Sequence, residues 1–138
     1  MNHMATVEYL GDLRTEMIHL ESGDQILTDA PKDNQGMGAA FSPTDLVASA
    51  LASCIITTMG ITAHRNDIDM VGTSAKVTKE MGVDPRRISA IRIHLYFPKN
   101  YSENEKKRLE RIAHACPVGE SLHVNLEEDI TFHYPDFS

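Results

Sequence analysis

Three short stretches near the N-terminus alternate apolar and polar positions: residues 6–10, 16–20 and 25–28. That period of two places every second side chain on one face of a strand. Gly11-Asp12 and Ser22-Gly23-Asp24 separate them as turns, and the second reads as a hairpin signal. Residues 30–38 carry Pro31, Asn34, Gly36 and Gly38 and read as a loop. The pattern then changes character. Ser42 is placed to cap a helix, Pro43 suits its first position, and Asp45 at the third completes an arrangement like a capping box. Apolar or small residues follow on nearly every face through Ile61, and polarity returns only at residues 64–67. A helix apolar all round is expected to be buried. About 22 residues at ~1.5 Å per residue give a rod of roughly 33 Å, which needs a wide sheet or a second subunit to cover it.

The second half repeats both periodicities. Residues 74–80 alternate, 81–85 turn, and 88–97 form the clearest strand, with Ile91, Ile93, Leu95 and Phe97 on one face and Arg92, His94 and Tyr96 on the other. Ser102 caps an amphipathic helix over 103–115 whose apolar stripe is Leu109, Ile112 and Ala113, with Cys116 at its end. Cys116-Pro117 interrupts that helix, and 117–123 read as one short further turn or helix. A last strand covers 124–134, where Leu126, Ile130 and Phe132 alternate with acids. No repeat, low-complexity tract or linker divides the chain, so residues 1–138 are expected to form a single domain. Strands, a long buried helix, a hairpin, two helices and a closing strand make an α+β fold with mostly antiparallel sheet.

Composition removes several classes of function. A net charge of -7 repels phosphate backbones and anionic lipid, so neither nucleic acid nor a membrane surface is an expected partner. The most apolar stretch, residues 46–61, is interrupted by Ser49, Ser53, Thr57 and Thr58 and falls short of the ~20 residues of a membrane span. It reads as a buried helix of a soluble protein. Two cysteines do not make a disulfide framework, and the N-terminus lacks a basic region followed by an apolar run, so a cytoplasmic location is expected. Met1, Asn2 and His3 are given no structural role.

The candidate chemistry lies in Cys54, inside the apolar helix, and Cys116, directly before Pro117 at a helix start, where a thiolate is electrostatically favoured. Metal binding is not expected: the seven histidines include no pair at i, i+4 on one helix, and two thiols alone are a poor zinc site. Peroxide reduction needs less. A thiolate attacks the peroxide, becomes a sulfenic acid, and is captured by a second thiol as a disulfide. A cation must favour the thiolate, and Arg14 and Arg65 are the options, arginine being charged at any physiological pH. Taken by themselves, the cysteines also read as small packing residues and the arginines as solvated charges.

Pro43-x-x-Leu46, small residues leading to Ala52-Ser53-Cys54, and Ala113-x-x-Cys116-Pro117-Val118 together resemble the OsmC/Ohr family, the osmotically inducible protein C and organic hydroperoxide resistance proteins. The resemblance runs through essentially the whole element order. It implies an intertwined homodimer in which mostly antiparallel sheets pack around two long central helices, with a site at each subunit interface. It further implies Cys54 as the peroxidatic thiol, Cys116 as the resolving thiol and Arg14 as the clamp, with an organic hydroperoxide as substrate, a dithiol of lipoyl type as reductant, and no cofactor. One departure stands out. Hydroperoxide resistance members carry a glutamate after the helix-start proline to hold the arginine, and this chain has Thr44. Asp45 is next door but projects from the opposite side of a regular helix from Cys54.

Two alternatives accompany the peroxidase reading. A non-catalytic member of the same family would bind an apolar small molecule between subunits, a use that suits the seven methionines. A hot-dog thioesterase would also be built around a buried helix, but it leaves Cys116 without a task and Asp45 better explained as a helix-start residue.

Overall fold

The structure, a computed structural model, describes residues 2–136; Met1, Phe137 and Ser138 lie outside them. The elements are β1 (Ala5–Gly11), β2 (Arg14–His19), β3 (Gln25–Asp29), a 3-10 turn at Lys32–Asn34, α1 (Pro43–Arg65), β4 (Ser74–Gly82), β5 (Arg87–Tyr96), α2 (Glu103–Ala113), α3 (Pro117–Ser121) and β6 (Glu127–His133). The backbone divides into two compact units, residues 1–47 and 48–138.

The first unit is an antiparallel sheet in the order β1-β2-β3. Both predicted turns form. Gly11, Asp12 and Leu13 turn with φ of 88°, 54° and 63°, and Gly23 turns with φ of 78°, a conformation that costs glycine nothing. Register aligns Val7, Met17 and Ile26 across the three strands, and next to them Tyr9, Thr15 and Thr28. Thr15 and Thr28 join their hydroxyls at 2.5 Å. The following loop folds back on itself: the Gly36 and Gly38 amides donate to Pro31 and Ala30 carbonyls. A Cβ on Gly36 would stand 1.7 Å from the Ala30 oxygen, so no side chain fits there.

The start of α1 is built as its sequence predicts. The Ser42 hydroxyl accepts the Asp45 N–H at 3.0 Å, and the Asp45 carboxylate accepts the Ser42 N–H at 3.0 Å. Both groups are orphan donors of a helix N-terminus, satisfied reciprocally.

The second unit packs α1 and α2 on one face of a sheet in the order β4-β5-β6. Alternation in β5 sends Ile91, Ile93 and Leu95 inward, where they join Leu51, Ile55 and Met59 of α1 and Leu109 of α2 in one hydrophobic cluster. Ser102 and Glu105 cap α2 as a true capping box, at 3.0 and 3.2 Å. The outer face of the sheet is polar. Arg92 reaches Glu80 on β4 and Glu127 and Asp129 on β6, tying three strands together. His94 and His133 meet there, ring nitrogens 2.8 Å apart.

Two expectations need refinement. The sheets are mostly antiparallel, yet β6 runs parallel to β5, pairing Ile93 with Ile130 and Leu95 with Phe132. Parallel neighbours require a crossover, and α2 and α3 supply it. The other concerns α1, which within the chain is covered on one side only: Ala48, Leu51, Ala52, Ile55, Met59 and Ala63 are buried, whereas Val47, Ala50, Ser53, Thr57 and Ile61 are exposed. By length and composition α1 could cross a membrane, but its buried side belongs to this core.

Truncating the centre of the core should separate it from the cap. Leu51→Ala, at a side chain with no exposure, is expected to lower unfolding free energy by about 2–5 kcal/mol, and Ser42→Ala by about 1 kcal/mol. Urea unfolding followed by circular dichroism measures both.

Candidate functional site

Cys54 lies on the twelfth residue of α1, beside the buried stripe, and is half-buried. Cys116 is 2% exposed and caps the N-terminus of α3, its extended backbone leading into Pro117. Three elements enclose it: α1 through Cys54, α3 through the Gly119 amide, and β6 through Glu128. Both cysteines are free thiols, and Cys54 is near enough to act on the Cys116 thiol, pushing it up. The chain therefore brings near one another two thiols that are far apart along it.

The expected electrostatics at Cys116 are overturned. The Gly119 N–H donates to Cys116 Sγ at 3.3 Å, the helix-start interaction that favours a thiolate. Burial outweighs it and pushes the thiol up, with further upward contributions from the Cys54 thiol and the Glu128 carboxylate. Desolvation and neighbouring negative charge both penalise a thiolate, and one weak donor does not offset them.

Arg14 belongs to the first unit, at the start of β2, in register with Asp29 at the end of β3. Asp29 is 1% exposed; its Oδ2 accepts the Ala39 N–H at 2.9 Å and lies 3.7 Å from Arg14 Nε. Its Oδ1 has no hydrogen-bond partner among the described residues. On its other side the guanidinium reaches Met37 Sδ at 3.9 Å. Thr44, where the resemblance expects a glutamate, lies with its hydroxyl 3.2 Å from the capping Ser42 hydroxyl, and Asp45 is engaged in the cap. The carboxylate that holds Arg14 thus comes from β3 rather than from the helix start. A hollow of ≈ 430 Å³ opens beside Arg14, lined also by Asp12, Leu13, Gln35 and Met37. Arg65 ends α1 as an exposed residue.

Asp29 and Glu128 were not singled out from the sequence. For Asp29 the signal is absent, since the register that sets it opposite Arg14 is not written in either strand alone. For Glu128 a signal exists. It shares parity with Leu126, Ile130 and Phe132, so an acid occupies the inward phase of an alternating strand, while Glu127 and Asp129 occupy the outward phase with Arg92. Among the described residues, no group of three or more His, Cys, Asp or Glu side chains could hold a metal ion.

Comparison with known proteins agrees with this architecture. The model of the OsmC-like protein family matches residues 35–129. A crystal structure from Psychrobacter arcticus 273-4, whose assignment as an osmotic stress induced and detoxification response protein is provisional, is 46% identical, with TM-score 0.94 over 96% of this chain and 97% of that one. An organic hydroperoxide resistance protein OsmC from Legionella pneumophila shares the fold at 18% identity, with TM-score 0.75 and 96% of each chain covered. The fold also recurs in an organic hydroperoxide resistance protein from Elizabethkingia anophelis, 15% identical, with TM-score 0.75 over 98% of this chain and 99% of that one. A search of the curated proteins returns no match. With its family model matched across most of its length and a solved relative nearly half identical from end to end, the chain belongs to the OsmC-like family.

Proposed function

We propose that this protein is a thiol-dependent peroxidase that reduces organic hydroperoxides. The observation that carries the reading is the meeting of Cys54 and Cys116, two reduced thiols on different elements. Cys54 as thiolate attacks the distal peroxide oxygen; the O–O bond breaks, the alkoxide leaves as an alcohol after taking a proton, and Cys54 becomes a sulfenic acid. Cys116 then attacks that sulfur, the S–O bond breaks, water leaves and a disulfide remains. A dithiol reductant exchanges with the disulfide and returns both thiols. Arg14 is the cation assigned to the thiolate and the peroxide, and Asp29 is its positioning residue. The apolar side chains of Leu13 and Met37 beside Arg14 suit the alkyl part of an organic hydroperoxide better than hydrogen peroxide.

The working unit is a homodimer. Its support is the apolar surface that one chain leaves open: Val7, 65% exposed, with Ile26 in the same row of the first sheet, and the stripe Val47, Ala50, Ser53, Thr57 and Ile61 on α1. Exposed apolar surface marks an interaction site, and small side chains on a helix let a second helix approach closely.

A second reading, binding of an apolar small molecule without turnover, is favoured by Thr44 in place of the expected glutamate. A co-purifying lipid-like molecule together with no consumption of hydroperoxide would select it.

Three outcomes are expected. Cumene or tert-butyl hydroperoxide oxidises both thiols stoichiometrically in the wild type. Cys54→Ser abolishes this, whereas Cys116→Ser consumes one equivalent and stops as a sulfenic acid that dimedone traps; full turnover by Cys54→Ser rejects the peroxidase. Asp29→Asn lowers kcat/KM for the hydroperoxide by about tenfold, or about 1.4 kcal/mol of transition-state stabilisation, in stopped-flow peroxide assays. Val7→Asp combined with Ile26→Asp converts the dimer to a monomer by light scattering, with the circular dichroism of the wild type retained.

A further inference from the structure

Glu128 occupies a place that its neighbours in sequence do not. Glu127 and Asp129 pair with Arg92 on the outer face of the sheet, whereas Glu128, exposed like them, alternates to the other face of β6, beside Gly119 of α3. There its carboxylate and the Cys116 sulfur converge on one spot. A Cβ placed on Gly119 would stand 3.0 Å from Glu128 Oε1 and 3.3 Å from Cys116 Sγ. Only a glycine leaves the gap between the two groups unfilled. Glu128 has no hydrogen bond or ion pair with another protein group among the described residues, so its free lone pairs are available to a proton. It is exposed to solvent.

We infer that Glu128 is the proton-transfer group of the resolving step, taking the thiol proton of Cys116 as its sulfur attacks the Cys54 sulfenic acid. This deepens the peroxidase reading and rests on it. As the S–S bond forms, the Cys54 S–O bond breaks; the proton passes from Cys116 Sγ to the Glu128 carboxylate and on to the departing hydroxyl, which leaves as water. Cys116 sulfur is oxidised, the sulfenic sulfur is reduced, and Glu128 ends as it began. A hydroxyl is a poor leaving group without a proton, and a carboxylate beside the attacking thiol can supply the one that the thiol loses. The Cys116 thiol is held up by burial and by its titratable neighbours Cys54 and Glu128. It therefore needs a base at the moment of attack, and once deprotonated it is the stronger nucleophile for its high basicity.

The sign of one rate decides the matter. A carboxylate acting only as a negative charge holds Cys116 protonated, so its removal would speed disulfide formation; a carboxylate acting on the proton would, if removed, slow it. In single-turnover experiments with tert-butyl hydroperoxide at pH 7, Glu128→Gln is expected to leave the oxidation of Cys54 unchanged. It should slow the sulfenic acid-to-disulfide step by about 10²-fold, the lower end of what a positioned base contributes, with dimedone adduct accumulating. Glu127→Gln removes the same charge from the outer face and should resolve at the wild-type rate. Resolution by Glu128→Gln that is as fast as or faster than wild type, or an equal loss in Glu127→Gln, overturns the inference. A wild-type protein that forms no disulfide with the peroxide instead overturns the peroxidase reading beneath it.

Discussion

The site depends on the packing of α1 against the inner face of β5. Leu51, Ile55 and Met59 meet Ile91, Ile93 and Leu95 in a cluster from which solvent is excluded. That contact fixes the azimuth of the helix. With Leu51 and Ile55 committed to the sheet, Cys54 must emerge at the border of the buried stripe, 100° from Ile55 and toward the crossover that carries Cys116. A rotation of α1 by one residue would carry the thiol either into the core or onto the open side. Rigid hydrophobic packing is what makes a meeting of two small side chains reproducible.

On that scaffold, polar groups do separate jobs. Arg92 with its three carboxylate partners holds β6 to the sheet from outside, where exposed ion pairs contribute little individually but act as a network across three strands. The same strand places Glu128 on its other face, next to Gly119. In the first unit a buried carboxylate, Asp29, orients an arginine that is itself partly open to solvent. Leaving Asp29 Oδ1 without a partner carries a desolvation cost, a cost tolerated where a charge must be held in a set place.

Much of this architecture was legible from periodicity. The Ser42–Asp45 cap and the Ser102 cap are local, and local chemistry is written in consecutive residues; both form as expected, and Glu105 completes the second as a capping box. The inward row Ile91, Ile93 and Leu95 follows from alternation alone. The direction of β6 was not legible, because a seven-residue strand reads the same in either sense and only the crossover sets it parallel. The anchor of Arg14 escaped for a related reason: Asp29 meets it through strand register, which two separate strands do not declare. The behaviour of Cys116 was misjudged because a helix start was visible and its burial was not. Burial, with neighbours on α1 and β6, rather than the one adjacent amide, governs that thiol.

The position of β6 carries a consequence for synthesis. It is the last element of the chain, yet it supplies one wall around Cys116 and, through Glu128, the acid beside it. As the polypeptide leaves the ribosome, both cysteines emerge before that wall can be laid down. During this interval the second sulfur is open to premature oxidation and to stray partners, and it is shielded only when residues 127–133 zip onto β5. A chain ending before residue 127 would keep both thiols and lose one wall around Cys116.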